Sequence, residues 1–192
     1  MSPRAGLNQD AVVALALAVI DEEGADALSL AKIAERAGVA PPSLYKHVTG
    51  LAAVRRLVDI RVLTEVTEAI RSAALGHSGA DAIAGLLDAY RGYVRRYPNR
   101  ASALAAPLSF ADEDVAKAMH GTAEAAFAGL RAFGFSRDQT VHVTRALRAA
   151  VHGFTSLEAG GGFGLPQDLD ASFATLKAML IQGLSTLARE ET

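Results

Sequence analysis

The sequence predicts an all-α fold of about nine helices. Three observations predict it. Apolar residues recur at three- and four-residue spacings along most of the chain. No stretch shows the strict alternation of a half-buried strand. The gaps between periodic segments carry the Asn, Ser, Asp, Gly and Pro residues that start and stop helices. With 192 residues, the chain can build one full-sized core or a small head joined to a larger body.

Each element follows in order. The first helix is expected over about Gln9–Glu23, capped by Asn8, stopped by Gly24, and apolar through Val12, Leu15, Ala16, Val19 and Ile20. Ser29 is the N-cap of the second, whose buried stripe is Leu30, Ile33, Ala34 and Ala37; Gly38 ends it in a left-handed conformation. A short third helix opens at Pro41, where the missing N–H costs nothing, and turns Leu44 and Val48 inward. The fourth is long, about Leu51–Ala74, and breaks at the Gly76–Gly79 segment. The fifth, about Ala80–Tyr97, carries Ile83, Leu87, Tyr90, Val94 and Tyr97 at alternating spacings of four and three. Pro98 and Pro107 bracket a short sixth. The seventh covers about Asp112–Phe133, with three acids in its first turn and Gly134 after its end. Ser136 and Gln139 open the eighth, about Arg137–Ala159, as a capping box. A glycine-rich loop, Gly160–Gly164, leads to the ninth, about Leu169–Arg189. That loop has no Gly-Lys-Ser/Thr ending and no preceding strand, so it reads as a connector and not as a phosphate cradle.

Composition narrows the function classes. Half the residues are hydrophobic and about a fifth are charged, as in a soluble globular protein. The absence of cysteine excludes disulfides and thiolate chemistry and fits a cytoplasmic location. The longest clean apolar run, Ala11–Ile20, is too short to cross a bilayer, and no membrane partner is expected. No metal-ligand spacing, nucleophile elbow or zinc-protease motif occurs, so neither an enzyme nor a cofactor is expected. The net charge of −2 conceals a local bias. Between Ser29 and Arg56 the basic residues Lys32, Arg36, Lys46, Arg55 and Arg56 face a single acid, Glu35. Such a patch can hold phosphates, because salt screens the distant acids beyond roughly 8–10 Å.

The informative stretch is Ser29–Leu51. Two short helices meet across Ala37-Gly38-Val39, and small Ala34 lets them cross closely. Burying Leu44 and Val48 makes Pro42, Ser43, Tyr45, Lys46 and His47 project, in a form that suits the DNA major groove. The run from Ser29 to Val48 resembles the DNA-binding signature of TetR-type (tetracycline-repressor-like) regulators. Ile33-Ala34, Ala37-Gly38-Val39, Leu44-Tyr45-Lys46-His47 and, on the first helix, Ile20-Asp21-Glu22-Glu23-Gly24 carry the likeness. Val151-His152-Gly153-Phe154 is similar to the Trp-His-Gly segment of one C-terminal subtype, with Val in place of Trp.

The resemblance implies a bacterial homodimer with a helix-turn-helix head over residues 1–50 and a ligand-binding and dimerisation body over residues 51–192. The Ala-, Gly- and Arg-rich composition fits a GC-rich genome. The implied partners are double-stranded operator DNA and a small-molecule effector, whose binding releases a repressor from a palindromic site. By position, Ser29 and Lys32 would touch phosphates, and Pro41, Pro42 and Ser43 would face base edges or sugars. Tyr45 and His47 would bond to the DNA backbone, and Lys46 would meet a phosphate or a base. Three departures predict weaker backbone anchoring: Ala40 in place of a Ser/Thr cap, two prolines without N–H groups, and Leu51 where the family places a phosphate-binding Lys. Arg4, Arg55 and Arg56 are the available compensation.

In the body, the candidate effector residues are Tyr90, Tyr93, Met119, Phe127, Arg145 and His152, with Phe110 and Phe154 as further aromatic candidates. His142, Arg145, Ala149 and His152 are expected to form one polar face, opposite Val143, Leu147, Ala150, Phe154 and Leu157. On the last helix, Phe173, Leu176, Leu180, Gly183 and Leu187 repeat at three-four-three-four and are read as a dimer seam. The rival reading is a helical binding or catalytic bundle whose His142/His152 face handles a small molecule.

Overall fold

The computed structural model describes residues 7–105 and 112–190; Arg4, Pro107 and Phe110 lie outside the described residues. Every regular element in this set is helical. The α-helices are α1 (Gln9–Glu23), α2 (Leu30–Ala37), α3 (Leu51–Ala74), α4 (Gly79–Arg96), α5 (Ala101–Ala105), α6 (Glu113–Leu130), α7 (Arg137–Ala159) and α8 (Leu169–Glu190). The expected third helix is a 3-10 helix, Pro41–Lys46.

The ends are set as the residue types dictate. Asn8 accepts the Ala11 N–H at 2.8 Å, and Ser29 and Ser136 accept the N–H groups of Lys32 and Gln139. Asp112 accepts from Asp114 and Val115. Gly38 lies in the left-handed region at φ 66°, so the Val39 N–H reaches back to the Ala34 carbonyl at 3.0 Å.

The chain forms two compact units. The first comprises Met1–Leu63 and Tyr97–Leu108, the second Thr64–Arg96 and Ser109–Thr192. The first takes in the first half of α3 as well as the segment from Tyr97 on, which two pairings tie to α1. Arg100 grips the Asp21 carboxylate through Nε at 2.7 Å and Nη2 at 2.6 Å, and Asn99 Nδ2 donates to the Asp21 carbonyl at 2.9 Å. Its core holds Val12, Ala16 and Val19 of α1, Ile33 and Ala34 of α2, Leu44, Val48 and Val54.

The second unit packs α4 against α6, α7 and α8. Its core includes Ile83, Leu87, Leu130, Val143, Leu147, Val151, Phe173 and Leu184. One charged cluster is centred on a buried arginine. Arg91, on α4, donates from Nε to Glu158 at 2.8 Å, pairs with Asp170 at 2.8 Å, and lies over the rings of Phe154 and Phe173. A buried guanidinium costs less when its donors are met and its planar faces rest on aromatic rings. These pairings raise its pKa, led by the Glu158 hydrogen bond.

Candidate nucleic-acid interface

The Pro41–Lys46 segment is held by two buried anchors, Leu44 at 0% and Val48 at 5% exposure. Its first turn closes through Ser43 N–H to the Ala40 carbonyl at 2.9 Å, the i→i+3 bond of a 3-10 helix. With the anchors inward, Pro41, Pro42, Tyr45 and Lys46 are exposed, and Ser43 and His47 are half-buried. Tyr45 is 60% exposed and makes no hydrogen bond among the described residues, so it does not stack down on the head's own surface. Lys46 makes no ion pair among the described residues and presents a whole ammonium.

The two residues at the start of α2 are placed differently. The Ser29 oxygen is engaged as an N-cap acceptor, which leaves its O–H free to donate. Lys32 Nζ is bonded to Glu23 at 2.6 Å, and Arg36 donates to both carboxylate oxygens of Glu22. These hydrogen bonds are the leading cause that lowers the pKa of each glutamate. Two of the five cations in the basic window are therefore met by acids that lie just outside it, at the end of α1. Lys46, in contrast, has no ion pair among the described residues.

Beside the recognition segment is a concavity of about 250 Å³, walled in part by Gln9, Tyr45, Lys46, His47, Thr49 and Arg56. It brings hydroxyl, imidazole, amide and two cationic groups around one opening, a donor set suited to a phosphate oxygen. Gln9 and Thr49 escaped the sequence reading. Their signal was positional only: Gln9 opens α1 and Thr49 precedes Gly50 ahead of α3.

In the second unit, Tyr90 and His152 meet. The Tyr90 hydroxyl is 2.9 Å from His152 Nδ1, and the rings sit edge to face. Burial raises the Tyr90 pKa to about 12, and burial with Arg148 nearby lowers that of His152, so both are neutral near pH 7. Tyr93 donates to Glu65 at 2.8 Å. Met119 and Phe127 are half-buried on α6, and Arg145 is exposed.

Two expectations need correction. The polar face of α7 is divided: His142, Arg145 and Ala149 are exposed, whereas His152, about 80° round the helix from His142, turns toward α4. Leu157, expected on the buried side, is 50% exposed. The five-residue seam of α8 is also divided. Phe173 is 2% exposed and packed against Arg91 and Phe154 of its own unit. Leu176 and Leu180 are half-buried, Gly183 is exposed and Leu187 is 39% exposed. The seam spans about 80° of helix surface, so one edge meets α4 and α7 while the other faces solvent.

Among the described residues there is no cluster of three or more metal-ligating side chains, and no helix is long and apolar enough to cross a membrane.

Comparison with known proteins agrees with this geometry. Residues 12–47 match the family model for bacterial regulatory proteins of the tetR family, and residues 83–180 match a tetracyclin repressor-like C-terminal domain. The uncharacterized HTH-type transcriptional regulator Rv0681 of Mycobacterium tuberculosis is 33% identical over 94% of this chain and 83% of its own length. A second, YobS of Bacillus subtilis, is 31% identical over 96% of each. Among solved structures, a TetR variant from Acinetobacter baumannii in complex with minocycline superposes with a TM-score of 0.73 at 25% identity, covering 95% of this chain and 98% of that one.

Proposed function

Because the chain belongs to the TetR family of bacterial regulatory proteins, we propose that it is a homodimeric repressor released from a palindromic operator by a small molecule. The observation that carries this reading is the division of the Pro41–His47 segment into buried anchors and unpaired, outward groups. A two-fold dimer offers two such segments, so half-site centres lie roughly 34–36 Å apart or a multiple of that. Tyr45, His47 and Ser29 donate hydrogen bonds to the DNA backbone, Lys46 supplies charge, and Pro41, Pro42 and Ser43 face the groove. Lys32 contributes less, because Glu23 holds it.

The dimer surface is assigned to the exposed apolar edges of α7 and α8: Ala149, Gly153 and Leu157 on one, and Met179, Gly183 and Leu187 on the other. Small residues there permit close helix approach. The effector is assigned to the second unit, near the Tyr90–His152 pair, where two neutral polar groups lie among apolar ones. The minocycline held by the A. baumannii relative supports a polycyclic or similarly polar-edged ligand. Release requires the effector to favour a dimer whose heads no longer match the operator spacing, and α3 is one covalent path along which that preference can act.

The test is binding of DNA from upstream of the protein's own coding region, read by fluorescence anisotropy at several salt concentrations. Specific, salt-sensitive binding is expected. Lys46→Ala should reduce the log–log salt slope by about 0.9 per head, and adding Tyr45→Ala should weaken binding at least about tenfold. An unchanged affinity in the double variant, or no binding at low salt, would overturn the proposal.

A further inference from the structure

The first compact unit contains a second cavity, of about 260 Å³, that the DNA-binding reading does not use. Its floor is apolar, formed by Ile20, Leu28, Val58 and Val62, all four under 5% exposed. It exceeds the roughly 150 Å³ engineered cavity that takes up benzene. Asp59, one turn after Arg55 on α3, lines the same space.

The charged groups around Asp59 are accounted for one by one. Arg100 is bound to Asp21 and stacked on Tyr97, with the guanidinium 3.9 Å from the ring centre. Arg55 is exposed, donates to the Ala25 carbonyl at 3.3 Å, and makes no ion pair with Asp59. Asp26 stands exposed on the rim. Asp59 itself is half-buried and has no hydrogen bond or ion pair among the described residues. A carboxylate taken partly out of water without a partner is costly, and a bound cation removes that cost.

We propose that this cavity binds a small organic cation, an amine with a short apolar body, whose ammonium meets the Asp59 carboxylate while its body lies on the Ile20, Leu28, Val58 and Val62 floor. The chemistry excludes the neighbouring classes. A metal ion needs several ligands held together, and the described residues hold no group of three or more metal-ligating side chains. An anion would meet Asp59 and Asp26 with only Arg55 not already held by a carboxylate. Burial also pushes the Asp59 pKa up to about 6, with Arg55 opposing, so the site loses its charge in mild acid. The site is independent of the operator-binding proposal, and its test contains no DNA.

The test titrates the full chain with phenethylamine, and in parallel with 3-phenylpropionate, a probe of similar shape and opposite charge. Binding is read by calorimetry and by NMR shifts of Val58, Val62 and Ala103. The amine should bind saturably at one site per chain, and the acid should not. Asp59→Asn should weaken the amine at least about tenfold. Wild-type binding should weaken about tenfold between roughly pH 7.5 and pH 5, following protonation of a carboxyl that titrates near 6. Equal binding of the two probes to the wild type overturns the proposal without reliance on any variant. So do undiminished binding by a folded Asp59→Asn, shifts confined to the second unit, and no saturable binding of the amine at millimolar concentration.

Discussion

Lys32 and Lys46 lie fourteen positions apart in one basic window, yet they offer DNA different things. Lys46 has no ion pair among the described residues, whereas Lys32 is tied to Glu23 at 2.6 Å. Each exposed pair of this kind is worth little to stability, but it lowers the charge available to a phosphate. Glu23→Gln should therefore release Lys32 and steepen the salt slope of DNA binding by up to about 0.9 per head. In the wild-type background, Lys32→Ala should change that slope less than Lys46→Ala does. Anisotropy titrations across a salt series check both, and an unchanged slope in Glu23→Gln would show that Lys32 does not reach DNA even when freed. The lowered pKa of Glu23 sets the pH window. Its charge, and the restraint on Lys32, are present above the ordinary carboxylate range and fade only as pH falls through the lowered value.

At the scale of elements, the turn between α2 and the recognition segment depends on Gly38 at φ 66°. Space is not the issue, since an added Cβ would meet nothing within 4 Å; the cost is the left-handed backbone itself. Gly38→Ala should destabilise the first unit by about 1 kcal/mol, seen as a melting temperature lower by roughly 2–4 °C. An unchanged melting curve would contradict the strain argument. Gly85 is constrained for the opposite reason: a Cβ there would sit 3.0 Å from the Ala73 carbonyl oxygen, a backbone atom that α3 cannot easily move. Most of this level was legible beforehand. Asn8, Ser29, Ser136, Gly24, Gly38 and Gly134 mark ends that the structure places at the same residues. The 3-10 form of the Pro41–Lys46 helix has no local mark in the sequence, because prolines at its first two positions remove N–H groups that neither helix type uses.

For the whole molecule, the consequential proposal is assembly. Met179 at 68% and Leu187 at 39% exposure leave apolar side chains open on α8, as Leu157 at 50% does on α7, the helix α8 packs against. Isolated apolar side chains on a surface are ordinary, whereas a contiguous edge on two adjacent helices indicates a partner. Met179→Glu should place two like charges near the two-fold axis and shift the protein toward monomer, read by sedimentation velocity. Operator affinity should fall with it, because one head alone loses the second half-site. A Met179→Glu protein that remains dimeric would move the interface elsewhere.

The sequence by itself determined the helices, their caps, the turn at Gly38 and the outward aim of Tyr45 and Lys46. Each of these follows from residues within one or two turns of one another, where periodicity and backbone preference act. Tertiary structure alone decided which charges remain available and which faces remain open. Asp21 meets Arg100 seventy-nine positions away, Arg91 meets Glu158 across sixty-seven, and Phe173 is drawn onto Arg91. Asp59 is left without a hydrogen bond or ion pair among the described residues, beside a cavity built from several separate segments. Electrostatic pairing and burial depend on distance through space, and separation along the chain carries no record of it.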